Sequence, residues 1–145
     1  MEELRGGADV VLKKIMRQAA AERASDVHIE PGASFVRVRF RKDGLLSDRF
    51  CLPSSMAPNL SVRVKVLGRL DVGESRLPQD GSWAEEIDGV PYDFRISVLP
   101  SMYGETIVIR ILSGRVNFIE KNELGMRREQ ESLFRRALSK GQGLI

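Results

Sequence analysis

The sequence predicts an α+β domain with a central antiparallel sheet, and three observations carry that prediction. Several separate runs alternate apolar and polar residues with period two, at 27–30, 36–41 and 92–98, as strands with one covered face do. Two Asp-Gly pairs, Asp43-Gly44 and Asp88-Gly89, separate such runs, and both residue types tolerate the positive φ of a two-residue hairpin turn. Helical periodicity appears ahead of the first strand and again near residue 128.

Size and composition set the outer limits. At 145 residues and 42% apolar content, the chain can bury one core without disulfides or metal. Cys51 is the single cysteine, so no internal disulfide forms and no zinc pattern exists, which points to a structural thiol in a reducing compartment. The first residues lack the apolar run of a signal peptide, and no eighteen-residue apolar stretch occurs; a soluble, cytoplasmic protein is expected. A net charge of +3 and a pI near 9.3 permit an anionic partner without demanding nucleic acid.

From Asp9 to about Arg23, the apolar residues Val11, Leu12, Ile15, Met16 and Ala19 recur at helical spacing, predicting an amphipathic helix with Asp9 as its N-cap. Residues 24–31 then read as a strand with Val27 and Ile29 inward and Asp26, His28 and Glu30 on a solvated face, ended by Pro31. The Asp-x-His-x-Glu pattern invites a metal, but same-face neighbours on a strand lie roughly 7 Å apart, too far for three of them to converge easily on one ion. Residues 35–41 alternate Val36, Val38 and Phe40 against Arg37, Arg39 and Arg41, and residues 45–52 return as the partner strand. Three arginines on one face could hold a phosphate backbone, although the aromatic residues that stack bases are missing between them.

Residues 58–70 conflict: Leu60, Val62, Val64 and Val66 alternate like a strand, while Leu60, Val64 and Leu67 suit a helix beginning after Pro58. Residues 70–81 form a polar loop, and 83–87 with 92–99 form a second hairpin that puts Tyr92, Phe94, Ile96 and Val98 on one face and Asp93, Arg95 and Ser97 on the other. A break at 100–104 precedes a strand over 106–112, apolar on both sides except for Arg110, as in an interior strand covered on both faces. A charge there needs a partner. After a loose stretch through Asn117 and Asn122, Leu133, Phe134, Ala137 and Leu138 give residues 128–139 an apolar helical side, and residues 141–145 begin a further strand.

No Gly-x-x-x-x-Gly-Lys-Ser/Thr loop occurs, and His28 is the only histidine, so neither phosphoryl transfer nor a nucleophile-histidine mechanism has its residues within this chain.

Several motifs, in order, resemble one family: Ala24-Ser-Asp-Val-His-Ile-Glu-Pro31, Arg63-Val-Lys-Val-Leu-Gly-Arg-Leu-Asp71, Ser75-Arg-Leu-Pro-Gln-Asp-Gly81, Asp93-Phe-Arg-Ile-Ser97 and Ile107-Val-Ile-Arg-Ile-Leu112. From Asp9 onward the chain is similar to the type II secretion and type IV pilus assembly ATPases (general secretion pathway protein E-like), in their second amino-terminal domain. The resemblance implies a PAS-like sheet with an N-terminal helix and a helix over 58–70 that crosses it. It also implies a division into residues 1–114, the accessory domain, and 115–145, a linker helix and the start of an absent C-terminal ATPase domain.

Functionally, the resemblance implies a homohexameric parent that uses ATP with Mg2+ to power protein secretion or pilus assembly. This chain alone, without Walker A and Walker B motifs, is expected to be inactive and to bind no cofactor tightly. Its partners are the C-terminal ATPase domains of its own and neighbouring subunits and, indirectly, the inner-membrane platform, at whose cytoplasmic face it acts; no direct nucleic-acid contact is implied. Matched by motif, Arg95 and Arg110 are the arginines that reach nucleotide phosphates in trans, and Arg76, Gln79, Asp80 and Glu105 are interface candidates. Without the resemblance, Arg95 pairs with Glu86 or Asp93, and Arg110 with Glu105. Two departures stand out: Ser82 occupies the position where the family usually has Arg, and the further amino-terminal docking domain is absent from this sequence. A stand-alone PAS-like sensor and a nucleic-acid-binding module are the alternatives.

Overall fold

A computed structural model of the chain describes residues 6–113 and 125–143, in two units, Met1–Gly114 and Arg115–Ile145. In the first unit, α1 (Ala8–Ala21) buries Val11, Leu12, Ile15, Met16 and Ala19, the set its spacing predicts; each large one contributes roughly 1.5–3 kcal/mol. Its N-cap is Gly7, with no side-chain cap. Asp9 lies inside the first turn instead, 2.6 Å from Arg63 and 3.4 Å from Lys13, where its charge still complements the helix dipole.

Six strands follow: β1 (Asp26–Pro31), β2 (Phe35–Lys42), β3 (Leu45–Pro53), β4 (Gln79–Ile87), β5 (Val90–Ser101) and β6 (Gly104–Ser113). They form one sheet in the order β3-β2-β1-β6-β5-β4, and every neighbouring pair is antiparallel. Both Asp-Gly turns are two-residue hairpins with positive φ at Asp43, Gly44, Asp88 and Gly89. The β5–β6 hairpin is tighter than predicted. Ser101 pairs with Gly104, so the ladder runs through the expected break and Met102-Tyr103 form the tip. β4 likewise begins at Gln79 rather than Trp83.

The conflict over residues 58–70 resolves as α2 (Met56–Gly68), which buries Leu60, Ser61, Val64, Lys65 and Gly68. Val62 and Val66, which a strand would place beside Leu60 and Val64, are exposed; helical spacing overrides the β preference of three valines. Because β3 and β4 are opposite edges of the sheet, this helix carries the chain across one face. That face holds the core: Val27, Ile29, Val36, Phe40, Phe94, Ile96, Ile107 and Ile109 are all at most 2% exposed. Gly68 and Gly81 permit the closest approach of helix and sheet, since a Cβ on Gly81 would sit 2.6 Å from the Gly68 carbonyl oxygen.

β6 corrects an expectation. It is an interior strand, but only Ile107 and Ile109 are buried, while Arg110 and Leu112 on the other side are exposed. Within the first unit α1 and α2 both lie on one face, and none of its described helices covers the opposite face of the sheet.

In the second unit, α3 (Arg128–Leu138) carries Glu129 and Glu131 in its first turn and Arg135 and Arg136 in its last, and buries no residue. Glu131 and Arg135 pair at 2.7 Å, and Gln130 Oε1 accepts the Arg127 amide at 3.0 Å. The expected strand at 141–145 is bends at 141–143 with its end outside the described residues, as is the stretch through Asn117 and Asn122. No described helix is long and apolar enough to cross a membrane.

Candidate functional site

Charge collects on the open face, and strand order decides which charges meet. β1 lies between β2 and β6, so its register places Asp26 opposite both Arg41 and Arg110. β5 adds Arg95 opposite Arg110, and β4 adds Ser82 opposite Arg95. One row therefore crosses five strands as Arg41, Asp26, Arg110, Arg95 and Ser82, each about 4.5–5.5 Å from the next.

Asp26 anchors the row. Its side chain is 10% exposed, and it accepts from Arg110 Nε at 3.2 Å and from Ser25 Oγ at 2.8 Å, with Arg41 Nε 3.5 Å away. These contacts satisfy a carboxylate that burial would otherwise make costly. Its predicted solvated position is thus a buried one with two cations on it. Arg110 is 66% exposed in its side chain, and among the described residues Nε is its one hydrogen-bonding atom. Arg95 is exposed and, among the described residues, no carboxylate lies within ion-pair distance of it. Neither expected local pairing forms: Arg110 takes Asp26 rather than Glu105, and Glu86 and Asp93 leave Arg95 alone.

Arginines directly opposite each other repel, by roughly 0.2–1 kcal/mol in a sheet. A phosphate group removes that repulsion, because a forked guanidinium binds two of its oxygens at once. The sheet offers room for one: a concavity of about 300 Å3 is lined by Asp80, Arg95, Ser97, Val108 and Arg110, with backbone at Gly81.

The neighbouring row sets His28 between Arg39 and Val108. Burial pushes its pKa below 6.5, Glu30 raising it in part and Arg41 lowering it further. Among the described residues its Nε2 is buried without a partner, and Nδ1 is 3.9 Å from Glu30 Oε1, beyond hydrogen-bond range. Glu30 instead accepts from Arg39. Asp26, His28 and Glu30 occupy successive rows, and among the described residues no three His, Cys, Asp or Glu side chains converge as metal ligands.

The remaining candidates separate. Gln79 is a strap for the 69–78 loop, donating to the Asp71 and Glu74 carbonyls at 2.9 Å each and accepting from the Asp71 amide at 2.9 Å. Arg76 has an 87% exposed side chain that pairs with Glu74 at 3.3 Å; its amide and guanidinium hold the Glu74 carboxyl below the usual range. Asp80 accepts from Ser97 at the rim of the concavity. Glu105 turns to Lys65 and Ser61. Asp26 is the residue sequence reasoning missed. Period-two alternation put it on a solvated face with His28 and Glu30, but its neighbours depend on β1 pairing with a strand about eighty residues later.

A family model described as Type II/IV secretion system protein matches residues 5–145. The chain is 40% identical over 135 residues to the protein transport protein HofB homolog of Escherichia coli, covering 93% of this chain and 29% of that protein. It is 37% identical over 147 residues to the type IV pilus assembly ATPase PilB of Acinetobacter baylyi, covering 99% of this chain and 25% of that one. The X-ray structure of the Legionella pneumophila ATPase DotB shares the fold with a TM-score of 0.50 over 91% of this chain and 36% of that one, at 13% identity. The chain thus spans less than a third of the length of these two curated relatives.

Proposed function

Because the chain belongs to the Type II/IV secretion system protein family, we propose that it is the accessory domain of a hexameric secretion or pilus-assembly ATPase. In this reading residues 1–114 form a PAS-like domain that packs on ATPase cores of its own and neighbouring subunits. Residues 115–145 lead into the core, which supplies the phosphate-binding loop, ATP and Mg2+. Arg95 and Arg110 reach the phosphates in trans, and the work drives protein secretion or pilus assembly at the cytoplasmic side of an inner-membrane platform. Arg76 and Asp80 lie on exposed backbone suited to an interface.

The observation that carries the reading is the Arg95–Arg110 pair, directly opposed on an open face. Guanidiniums held this way are arranged in advance for charge that shifts among phosphoryl oxygens as a bond breaks. Two of the three arginines that suggested a nucleic-acid face, Arg39 and Arg41, already lie against Glu30 and Asp26, which favours a compact phosphate ligand over a phosphate backbone.

The test uses the full-length hexamer. Arg95→Ala and Arg110→Ala should each lower turnover on the order of 10³-fold, equivalent to roughly 4 kcal/mol of transition-state stabilisation, with ATP affinity and thermal midpoint changing far less. Normal turnover in a folded Arg95→Ala hexamer removes that residue from the site.

A further inference from the structure

We propose that Asp26 is a positioning residue for Arg110: its carboxylate fixes the guanidinium through Nε, leaving the terminal nitrogens to receive a phosphate beside Arg95. The inference rests on the phosphate reading above and adds a residue to it. Three observations support it. Asp26 meets Arg110 through Nε, at 3.2 Å, and no described residue takes up the terminal nitrogens. Arg110 and Arg95 line the same concavity. Asp26 is itself held, because Ser25 donates to its other oxygen and Arg41, anchored by its own donation to the Gly44 carbonyl at 3.1 Å, lies on the far side.

A long exposed arginine loses rotamer freedom on binding. Holding Nε in advance removes part of that cost and turns the fork toward its ligand. The same carboxylate opposes an incoming anion, so it sets affinity as well as orientation. Asparagine at position 26 separates these two effects, since its amide oxygen can still accept from Nε while the charge is gone; alanine removes both.

The chain itself is titrated with inorganic tripolyphosphate at low salt, followed by NMR of the arginine Nε–H signals and with the thermal midpoint recorded for each variant. Asp26→Asn should bind about three- to fivefold tighter than the unmodified chain, from loss of one nearby negative charge, and should keep a resolved Arg110 Nε–H signal. Asp26→Ala, of equal charge, should bind more weakly than Asp26→Asn and lose that signal to exchange with water. Equal affinities for the two variants, or an Arg110 signal insensitive to both, overturn the positioning role and leave the phosphate reading intact. If Arg95→Ala and Arg110→Ala bind tripolyphosphate as the unmodified chain does, the phosphate reading fails and this inference with it.

Discussion

Lys65 Nζ lies 2.6 Å from Glu105 Oε1, with the lysine side chain 1% exposed. The ammonium also donates to the Glu74 carbonyl at 2.6 Å, and Ser61 donates to the other Glu105 oxygen. One buried pair therefore ties α2, the 69–78 loop and the start of β6. Lys65→Met strands Glu105 and should cost about 3–5 kcal/mol in urea unfolding, whereas Lys65→Met with Glu105→Leu should recover most of it. Equal losses in the single and double variants contradict the coupling.

Arg95→Ala should raise the stability of the chain. It relieves the repulsion from Arg110, a gain of roughly 0.2–1 kcal/mol at low salt, which should vanish at high salt. Arg110→Ala should change stability little, because Asp26 keeps Arg41 and Ser25. A drop of the thermal midpoint in Arg95→Ala would mean that the arginine has a structural partner.

Gly81→Ala should destabilise more than Gly68→Ala. The first places a methyl 2.6 Å from a backbone oxygen, and the second places it 2.5 Å from Ile96 Cδ1, the end of a side chain that can rotate away. Overpacking of this kind costs about 1–3 kcal/mol. Chemical denaturation of the two variants gives the order directly.

His28 should make the domain acid-sensitive. Its folded pKa lies below 6.5, so between the two values the unfolded chain binds more protons, and stability falls as pH drops from about 6.5 toward the folded value. Above that range its contribution is flat. The charged groups that face it are Glu30, Arg41, Asp26 and Arg39. The difference in unfolding free energy between the unmodified chain and His28→Gln, followed with pH, should shrink on acidification; a constant difference would rule the histidine out.

What was legible in the sequence was local. Val11 through Ala19 declared α1, and Asp43-Gly44 and Asp88-Gly89 declared their hairpins, because helix and turn are decided by residues a few positions apart. The fate of 58–70 was undecidable from its valines, since its face is chosen by what the sheet offers. Arg110 was expected in a doubly covered strand because Val108 and Leu112 beside it are apolar, yet α1 and α2 pack on the other face. Asp26 was assigned to solvent for the same reason: strand order is set by chain closure over long separations.

Along β5, Phe94, Ile96 and Val98 enter the core while Asp93, Arg95 and Ser97 face out. A strand with two such unlike sides can be revised at odd-numbered positions without disturbing the even ones. Substitution profiles along it should alternate, with folding yield failing at the even-numbered residues and holding at the odd-numbered ones. The exposed set of β5 is thus free to change while the interior it backs stays as it is.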